Sequence, residues 1–313
     1  MPARSGIPCA GRCGVVYGYE LEVAGPCRAG RARPGNSLAL HLCGENNVKL
    51  LLIGDIVGKP GRQICTRLVR QLRQAEQLDL VVANGENAAG GSGITPEIFA
   101  ELLAAGIDGV TLGDHAYRRR EIFSTLQSEN RIVRPANYPP QAPGADVMIL
   151  QAANEVKVAV FVLLGRVFMP PVDCPFQAAE RLLASLPAEI KVVLVDFHAE
   201  ATSDKQLMGR YLDGRVSAVL GTHTHVPTAD EQILPGGTAF QCDVGMTGPH
   251  ESILGRRIDR VLETAITFRP THFEVASGDV RLNATLVEVD PETGRATGIR
   301  RICLSQPHPA AGQ

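Results

Sequence analysis

After its first 47 residues, the chain alternates short apolar runs with amphipathic stretches over most of its length. The runs at 48–53, 80–83 and 109–112 are predicted to be buried strands, because apolar residues follow one another there with little polar interruption. Segments 60–76 and 95–106 carry apolar residues at helical spacing. Strands that alternate with helices form layered domains, so we predict a layered α/β fold with mixed sheets.

The rest of the chain repeats this pattern less strictly. Three more apolar runs are predicted strands and three amphipathic segments are predicted helices. The strands are 156–164, 190–197 and 216–220, and the helices are 119–129, 178–186 and 258–268. Residues 272–290 alternate apolar and polar side chains, which predicts antiparallel strands.

The first 47 residues differ in character from the remainder of the chain. They contain eight glycines and four prolines and show no sustained hydrophobic period, a composition typical of poorly ordered segments. We predict a poorly ordered leader at 1–47, one large domain at 48–305 and a frayed tail at 306–313. The abrupt change at Val48 fits a natural extension, and it fits equally a translation start at this valine, which an alternative bacterial start codon can encode.

Charge and hydropathy exclude several classes of protein. The formal net charge of -2 argues against an extended nucleic-acid-binding surface. No stretch approaches the roughly 20 apolar residues that span a bilayer, and the N-terminus lacks the apolar region of a signal peptide. None of the eight cysteines forms a C-x-x-C pair. We therefore predict a cytoplasmic protein with reduced thiols and no membrane segment.

Side chains that commonly bind metal ions follow five of the predicted strands. They are Asp55, the pair Glu86-Asn87, the pair Asp114-His115, His198, and the pair His223 and His225. Ligands of open α/β sheets bind outside the carboxyl ends of the strands, so we expect these side chains to converge on one crevice. Carboxylate and imidazole groups together suit manganese, iron or zinc.

Each of these segments also has a simpler interpretation. Asp55 could cap a turn, Glu86 follows a common turn dipeptide, and Asp114 could cap a helix. The spacing of His223 and His225 is more informative, because alternate residues of an extended segment point to the same side. The joint arrangement is more specific than any one segment, and it favours a metal site.

The order of these motifs resembles the calcineurin-like metallophosphoesterase superfamily, and more closely its bacterial YmdB-type phosphodiesterases. The resemblance covers roughly residues 48–305 and leaves out the leader. The matching runs are 53–62, 84–88, 134–140, 196–202, 221–230 and 243–249.

The resemblance implies an α/β/β/α sandwich with mixed sheets and a site for two divalent or transition metal ions, with iron or manganese favoured over zinc. One ion would lie among Asp55, Glu86, Asn87 and His225. The other would lie among Glu86, Asp114, His198 and His223, so that Glu86 bridges the two ions.

The implied activity is metal-dependent hydrolysis of small phosphodiesters, with 2′,3′-cyclic nucleotides as the implied substrates. A hydroxide held between the two ions would attack phosphorus in line, and His115 would act as the general acid for the leaving alkoxide. An alternative on the same fold is a non-catalytic regulator that senses metal or nucleotide. Whether the protein is a homo-oligomer stays open.

Two positions depart from related patterns. Asp114 stands where the family usually has asparagine, and its added negative charge should tighten cation binding and weaken attraction for an anionic phosphate. Val57 stands where the broader superfamily has a ligand histidine. The absence of that histidine matches the YmdB-type branch. A dinucleotide-binding alternative is weak, because Gly54, Gly58 and Gly61 lack the G-x-G-x-x-G spacing.

Some residues around the ligands have two open interpretations. Asp196, Glu200 and Asp243 could orient a ligand imidazole or make only structural hydrogen bonds. His250 follows a Gly-Pro turn, where a structural role is favoured over a direct one.

Overall fold

A computed structural model describes residues 47–305 of the chain. The predicted leader (1–47, apart from Asn47) and tail (306–313) lie outside the described residues and remain predictions. The described residues form thirteen strands and six α-helices. Among these helices, none combines the length and the apolar character that crossing a membrane requires.

The strands belong to two mixed sheets. In chain order they are β1 (Val48–Ile53), β2 (Leu80–Asn84), β3 (Gly109–Thr111), β4 (Ile132–Val133), β5 (Val147–Gln151), β6 (Lys157–Leu164), β7 (Val192–His198), β8 (Ala218–Thr222), β9 (Gln232–Ile233), β10 (Ala239–Gln241), β11 (Gly248–Glu251), β12 (Gly278–Val289) and β13 (Ala296–Ser305). The helices are α1 (Gly58–Glu76), α2 (Pro96–Ala104), α3 (Ile122–Ser128), α4 (Pro175–Ser185), α5 (Thr202–Tyr211) and α6 (Ile258–Thr267).

The pairing of the strands places two sets of carboxyl ends side by side. One sheet has the order β11-β12-β1-β2-β3-β4, with β13 paired to β12, and β1 to β4 run parallel. The other has the order β5-β6-β7-β8-β10-β9, with its four central strands parallel. Within each sheet the parallel strands therefore end at the same edge.

The two sheets pack face to face between outer helices. Leu51 of β1 belongs to the core cluster that includes α1 and α2, whereas the next residue, Leu52, shares a second cluster with Val160 of β6. Phe161, the next residue of β6, belongs to a third cluster with Met208 of α5. Since successive side chains of a strand point to opposite faces, the layers are helix, sheet, sheet and helix. The predicted α/β/β/α sandwich is confirmed.

Local signals bound the loop that carries two of the candidate ligands. The hydroxyl of Thr95 accepts a hydrogen bond from the backbone N–H of Ile98 at 3.4 Å, and Pro96 opens α2. Gly106 follows the helix with a φ of +103°, a conformation that glycine adopts without strain. Thr95 and Pro96 therefore define the end of the loop that follows β2, and Gly106 defines the end of α2.

The prediction for residues 272–290 is partly wrong. These residues form one long strand, β12, preceded by non-strand residues, and its antiparallel partners β1, β11 and β13 all lie outside the segment. The buried half of β12 pairs with β1 within its sheet, so the alternation comes from one strand and not from two strands paired inside the segment.

Candidate metal centre

The candidate ligands lie together at the carboxyl ends of the strands. Asp55 follows β1, Glu86 and Asn87 follow β2, and Asp114 follows β3. From the other sheet, His198 ends β7, and His223 and His225 follow β8. The structure therefore brings together in space all seven residues that the sequence analysis selected as ligands. Their role as ligands remains a prediction.

Four of these residues form a tight cluster. One potential ligand atom from each lies within 4.8 Å of the others, and the four are Glu86, Asp114, His198 and His223. The Nε2 atom of His198 lies 3.2 Å from Oδ1 of Asp114 and 3.4 Å from Oε1 of Glu86. The Nδ1 atom of His223 lies 3.0 Å from the same Nε2. This is the set predicted to surround the second ion.

The set predicted to surround the first ion also contacts Glu86, through the same Oε1 atom that lies near His198. The Nδ2 atom of Asn87 lies 3.1 Å from Oε1 of Glu86 and 3.2 Å from Nε2 of His225, which lies 3.9 Å from Oδ1 of Asp55. An amide nitrogen has no lone pair for a metal ion, so Asn87 could act as a ligand only after a flip of its side-chain amide by about 180°. The oxygen would then face His225.

Asp55 supplies a direct test of whether a cation fits. Its Oδ2 atom accepts a hydrogen bond from the backbone N–H of His223 at 3.1 Å. Its Oδ1 atom is buried and has no hydrogen-bond partner among the described residues. Leaving a buried carboxylate oxygen unpaired is costly, and a cation beside it would remove the cost. The donor set and this orphaned oxygen fit a bound metal ion.

Electrostatics keep the carboxylates of the cluster in the form that binds metal. Burial would raise the pKa of Glu86, but the positive charge of His198 and hydrogen bonds from His115 and His198 outweigh it, and the pKa falls well below its usual range. For Asp114, burial is likewise outweighed by hydrogen bonds from His198 and His223, and its pKa is lowered. Both groups are therefore ionised near neutral pH.

The two histidines after β8 reach the site through a strained turn. His223 has a φ of +96° and His225 a φ of +68°. Residues other than glycine in such conformations cost about 1–3 kcal/mol each. The segment is not an extended strand, so the sequence-based reason for expecting both imidazoles on one side was wrong. The turn itself directs both of them to the site.

A buried ion pair holds this turn in place. The Oδ2 atom of Asp243 accepts hydrogen bonds from the backbone N–H and the hydroxyl of Thr224, at 3.1 and 2.7 Å. The same oxygen lies 2.6 Å from the ammonium of Lys205, and both side chains are almost fully buried. Asp243 therefore fixes the residue between the two histidines, and it offsets part of the strain at His223 and His225.

The surrounding polar residues fall into different roles. Glu200 places Oε2 3.3 Å from Nε2 of His223, so it contacts a candidate ligand directly. Asp196 reaches His198 through the hydroxyl of Thr222. His250 lies 3.0 Å from both the carbonyl oxygen of Gly248 and the amide of Asn283, which is a structural role.

His115 lies against the candidate ligands without belonging to the tight cluster. Its backbone N–H donates to Oε2 of Glu86 at 2.9 Å, and its Nδ1 atom lies 2.8 Å from Oδ1 of Asn87. Its side chain is 27% exposed, so the ring also reaches solvent. Burial would lower the pKa of His115, but the hydrogen bond and negative charge of Glu86 outweigh it and raise that pKa. The imidazole can therefore carry a proton at the rim of the site.

Sequence reasoning missed the importance of Gly113. A Cβ atom at this position would lie 2.3 Å from Oε2 of Glu86 and 2.3 Å from Nε2 of His198. Non-bonded carbon cannot approach these atoms so closely, so only glycine leaves the space between the two candidate ligand side chains open. A glycine directly before a candidate ligand was the available signal, but it also fits an ordinary turn.

We expect Gly113→Ala to empty the metal site while every ligand side chain remains. The added methyl group would force Glu86 and His198 apart, and metal content measured by plasma mass spectrometry should fall at least about 10-fold, as for other disruptions around metal ligands. Gly298→Ala is the matched control, because its Cβ would meet its nearest neighbour at an ordinary 3.4 Å. Unchanged metal content in Gly113→Ala would show that the ion does not lie between these two residues.

Tyr138 is a second residue that the sequence analysis did not select. Its hydroxyl lies 3.4 Å from the carbonyl oxygen of Gly113, and its ring centroid lies 5.5 Å from that of Tyr117. Burial and the nearby charges of Asp114 and Glu86 raise the pKa of Tyr138, so the hydroxyl stays protonated. It is a neutral hydrogen-bond donor beside an acidic cluster, placed there by the run 134–140.

Comparison with known proteins agrees with this geometry. The model of the YmdB-like protein family matches residues 51–302. The chain belongs to the YmdB-like family. The matched residues include all the candidate ligands, so the resemblance seen in the motifs is confirmed.

Relatives of the chain include a named phosphodiesterase and proteins of known structure. The chain is 42% identical over 261 residues to the 2′,3′-cyclic-nucleotide 2′-phosphodiesterase of Bacillus subtilis (strain 168), covering 83% of this chain and 98% of the relative. A hypothetical protein from Thermus thermophilus superposes with a TM-score of 0.78 and 43% identity, over 83% of this chain and 100% of that one. A novel phosphatase from Mycoplasma pneumoniae superposes with a TM-score of 0.79 and 32% identity, over 84% and 95%.

Proposed function

We propose that this YmdB-like protein is a metal-dependent phosphodiesterase that hydrolyses small phosphodiesters, with 2′,3′-cyclic nucleotides as its substrate class. The observation that carries the proposal is the cluster of four ligand atoms within 4.8 Å beside the unpaired buried oxygen of Asp55. Nearly the full length of the Bacillus subtilis relative, whose name states this activity, aligns with the chain.

The proposed cofactor is a pair of divalent or transition metal ions, iron or manganese before zinc. The mixture of carboxylate and imidazole donors supports these metals. Asp55, Glu86, Asn87 and His225 would hold one ion, and Glu86, Asp114, His198 and His223 would hold the other. Ions bound there would supply a nucleophilic hydroxide and neutralise charge on the phosphate.

The protein's own residues would bind the substrate and supply a proton. The proton-bearing ring of His115 lies at the rim, where it can donate to the ribose oxygen that leaves phosphorus. The protonated hydroxyl of Tyr138 could donate to a phosphate oxygen by leaving its present acceptor, the carbonyl oxygen of Gly113. Asp114 places a third carboxylate beside Asp55 and Glu86, so the loaded site would carry less positive charge than one with asparagine there. A monoanionic diester therefore suits this site better than a dianionic monoester.

The proposed location is the cytoplasm, which is a reducing compartment. The four cysteines within the described residues, Cys65, Cys174, Cys242 and Cys303, are all free thiols. Proteins of oxidising compartments commonly pair such residues, so free thiols support the predicted cytoplasmic location.

The test is a substrate screen on metal-analysed protein. Purified protein is loaded with Mn²⁺ and assayed against phosphomonoesters, 2′,3′-cyclic and 3′,5′-cyclic nucleotides and linear dinucleotides. We expect close to two ions per chain and the highest kcat/KM with a 2′,3′-cyclic nucleotide. Two retained ions with no turnover on any diester would contradict the enzyme hypothesis. That result would favour the alternative, a metal- or nucleotide-sensing regulator.

A further inference from the structure

A buried polar network joins the two sheets directly beneath the candidate metal centre. It consists of one side chain from each of four strands, and all four are fully buried: Asn84 of β2, Thr111 of β3, Asp196 of β7 and Thr222 of β8. Burying a carboxylate between two apolar sheets is costly unless its oxygens are hydrogen-bonded. The other three side chains therefore have to satisfy the carboxylate of Asp196.

Both carboxylate oxygens of Asp196 are satisfied by donors. Oδ2 accepts hydrogen bonds from the hydroxyl of Thr111 at 2.6 Å and from Nδ2 of Asn84 at 3.1 Å. Oδ1 accepts a hydrogen bond from the hydroxyl of Thr222 at 2.6 Å. A carboxylate can only accept, so the single proton of Thr222 is committed to Asp196.

That commitment determines which nitrogen of His198 carries a proton. The Oγ1 atom of Thr222 lies 2.8 Å from Nδ1 of His198, and since its own proton points at Asp196, it can only accept from the imidazole. The Nδ1 atom of His198 must therefore be protonated. The reverse arrangement would put a lone pair of Thr222 against a carboxylate lone pair at 2.6 Å.

The other nitrogen of His198 is then the one available to a metal. Its Nε2 atom lies among the candidate ligands, 3.2 Å from Oδ1 of Asp114 and 3.4 Å from Oε1 of Glu86. Once a bound metal ion displaces the proton on Nε2, the neutral imidazole keeps its proton on Nδ1 and has its lone pair on Nε2. Oδ1 of Asp55, 3.9 Å from Nδ1, is too far for a hydrogen bond but would favour the same tautomer.

We infer that Asp196 and Thr222 are positioning residues that hold His198 in the Nδ1-protonated tautomer and so present the lone pair of Nε2 to the metal. This inference rests on the proposed metal-dependent function, because it gives His198 a ligand role. Neither residue touches the substrate, and both act through the imidazole.

Removing the hydroxyl of Thr222 should reverse the preference. In Thr222→Val, the remaining polar neighbour of Nδ1 within hydrogen-bond distance among the described residues is Nδ2 of Asn84, at 3.4 Å. This amide is a donor, so it favours a lone pair on Nδ1 and a proton on Nε2. That proton would occupy the position that a metal ion needs. Thr222→Ser keeps the hydroxyl and is the matched control.

The experiment measures the affinity for Mn²⁺ by titration, with free Mn²⁺ detected by electron paramagnetic resonance. We expect Thr222→Val to bind Mn²⁺ about 10–100-fold more weakly than the natural protein, the usual loss when a partner of a metal-bound histidine is removed. Thr222→Ser should stay within about 3-fold of the natural protein. In parallel, ¹⁵N spectra of the Zn²⁺-loaded protein should show a hydrogen-bonded Nδ1 proton on His198 in the natural protein and in Thr222→Ser.

The outcomes separate this inference from the proposed function. Natural affinity in Thr222→Val, or equal losses in the valine and serine variants, would overturn the tautomer assignment. A lower unfolding temperature of the metal-free valine variant with unchanged affinity would show a purely structural role and would also overturn it. If the valine variant does not fold, Thr222→Ala makes the same test. None of these readouts uses phosphodiester turnover, so an inactive but metal-binding natural protein would contradict only the proposed function.

Discussion

Replacing Glu86 by alanine should abolish phosphodiester hydrolysis and lower the metal content of the protein. Glu86 is the residue shared by both predicted ligand sets, and its Oε1 atom lies 3.1 Å from Asn87 and 3.4 Å from His198. Loss of metal removes several kcal/mol of transition-state stabilisation, so we expect kcat/KM to fall by about 10³-fold or more. His223→Ala should also abolish activity and lower metal content, because it removes one candidate ligand of the tight cluster.

The measurement pairs turnover with metal analysis on the same samples. Glu180→Ala is the control, because it removes a carboxylate from an exposed ion pair with Arg215 that lies outside the site. Full activity with unchanged metal content in Glu86→Ala would disprove the bridging role. Loss of the second ion alone in His223→Ala, with the first retained, would support the division of ligands into two sets.

His115→Ala should impair chemistry far more than metal binding. The ring lies against Asn87 and Glu86 but outside the cluster of four ligand atoms. A general acid contributes about 10²–10⁴-fold, and it contributes most when the leaving group is a poorly stabilised alkoxide. The variant should therefore retain its metal and lose about 10²–10⁴-fold in kcat on a 2′,3′-cyclic nucleotide. Its loss on a nitrophenyl phosphodiester should be much smaller.

Rates on the two substrates are compared with metal content determined on each sample. His272→Ala is a suitable control, because His272 is an exposed histidine outside the site. Equal losses on both substrates, accompanied by lost metal, would make His115 a ligand or a structural support. No loss on either substrate would make it an ordinary surface histidine.

The family and the general architecture could be predicted from the sequence because the signals are local. Buried parallel strands such as β1 and β7 appear as continuous apolar runs, and the helices between them carry their own spacing. Edge strands lack this signal: both residues of β9 are exposed, and β13 alternates burial irregularly. Such strands form because they pair with a neighbouring strand, and their own sequences carry no clear strand pattern. They were therefore not predicted.

The convergence of the seven candidate ligands was also predictable, since parallel strands end at the same edge of a sheet. How each side chain reaches the site was not. His223 and His225 point inward because Asp243 and Lys205 hold a turn with positive φ. No short-range pattern records a turn that depends on a buried ion pair between residues 38 positions apart.

The sequence by itself therefore determined the fold class, the family and the set of side chains that meet at the strand ends. The tertiary structure alone decided the open space at Gly113 and the hydrogen-bond partners of His198. Those features depend on atoms such as the hydroxyl of Thr111 and the carboxylate of Asp196, which are 85 positions apart and meet only when the two sheets pack. Hydrophobic periodicity records which face of an element is buried, but the contacts across that face exist only in the folded chain.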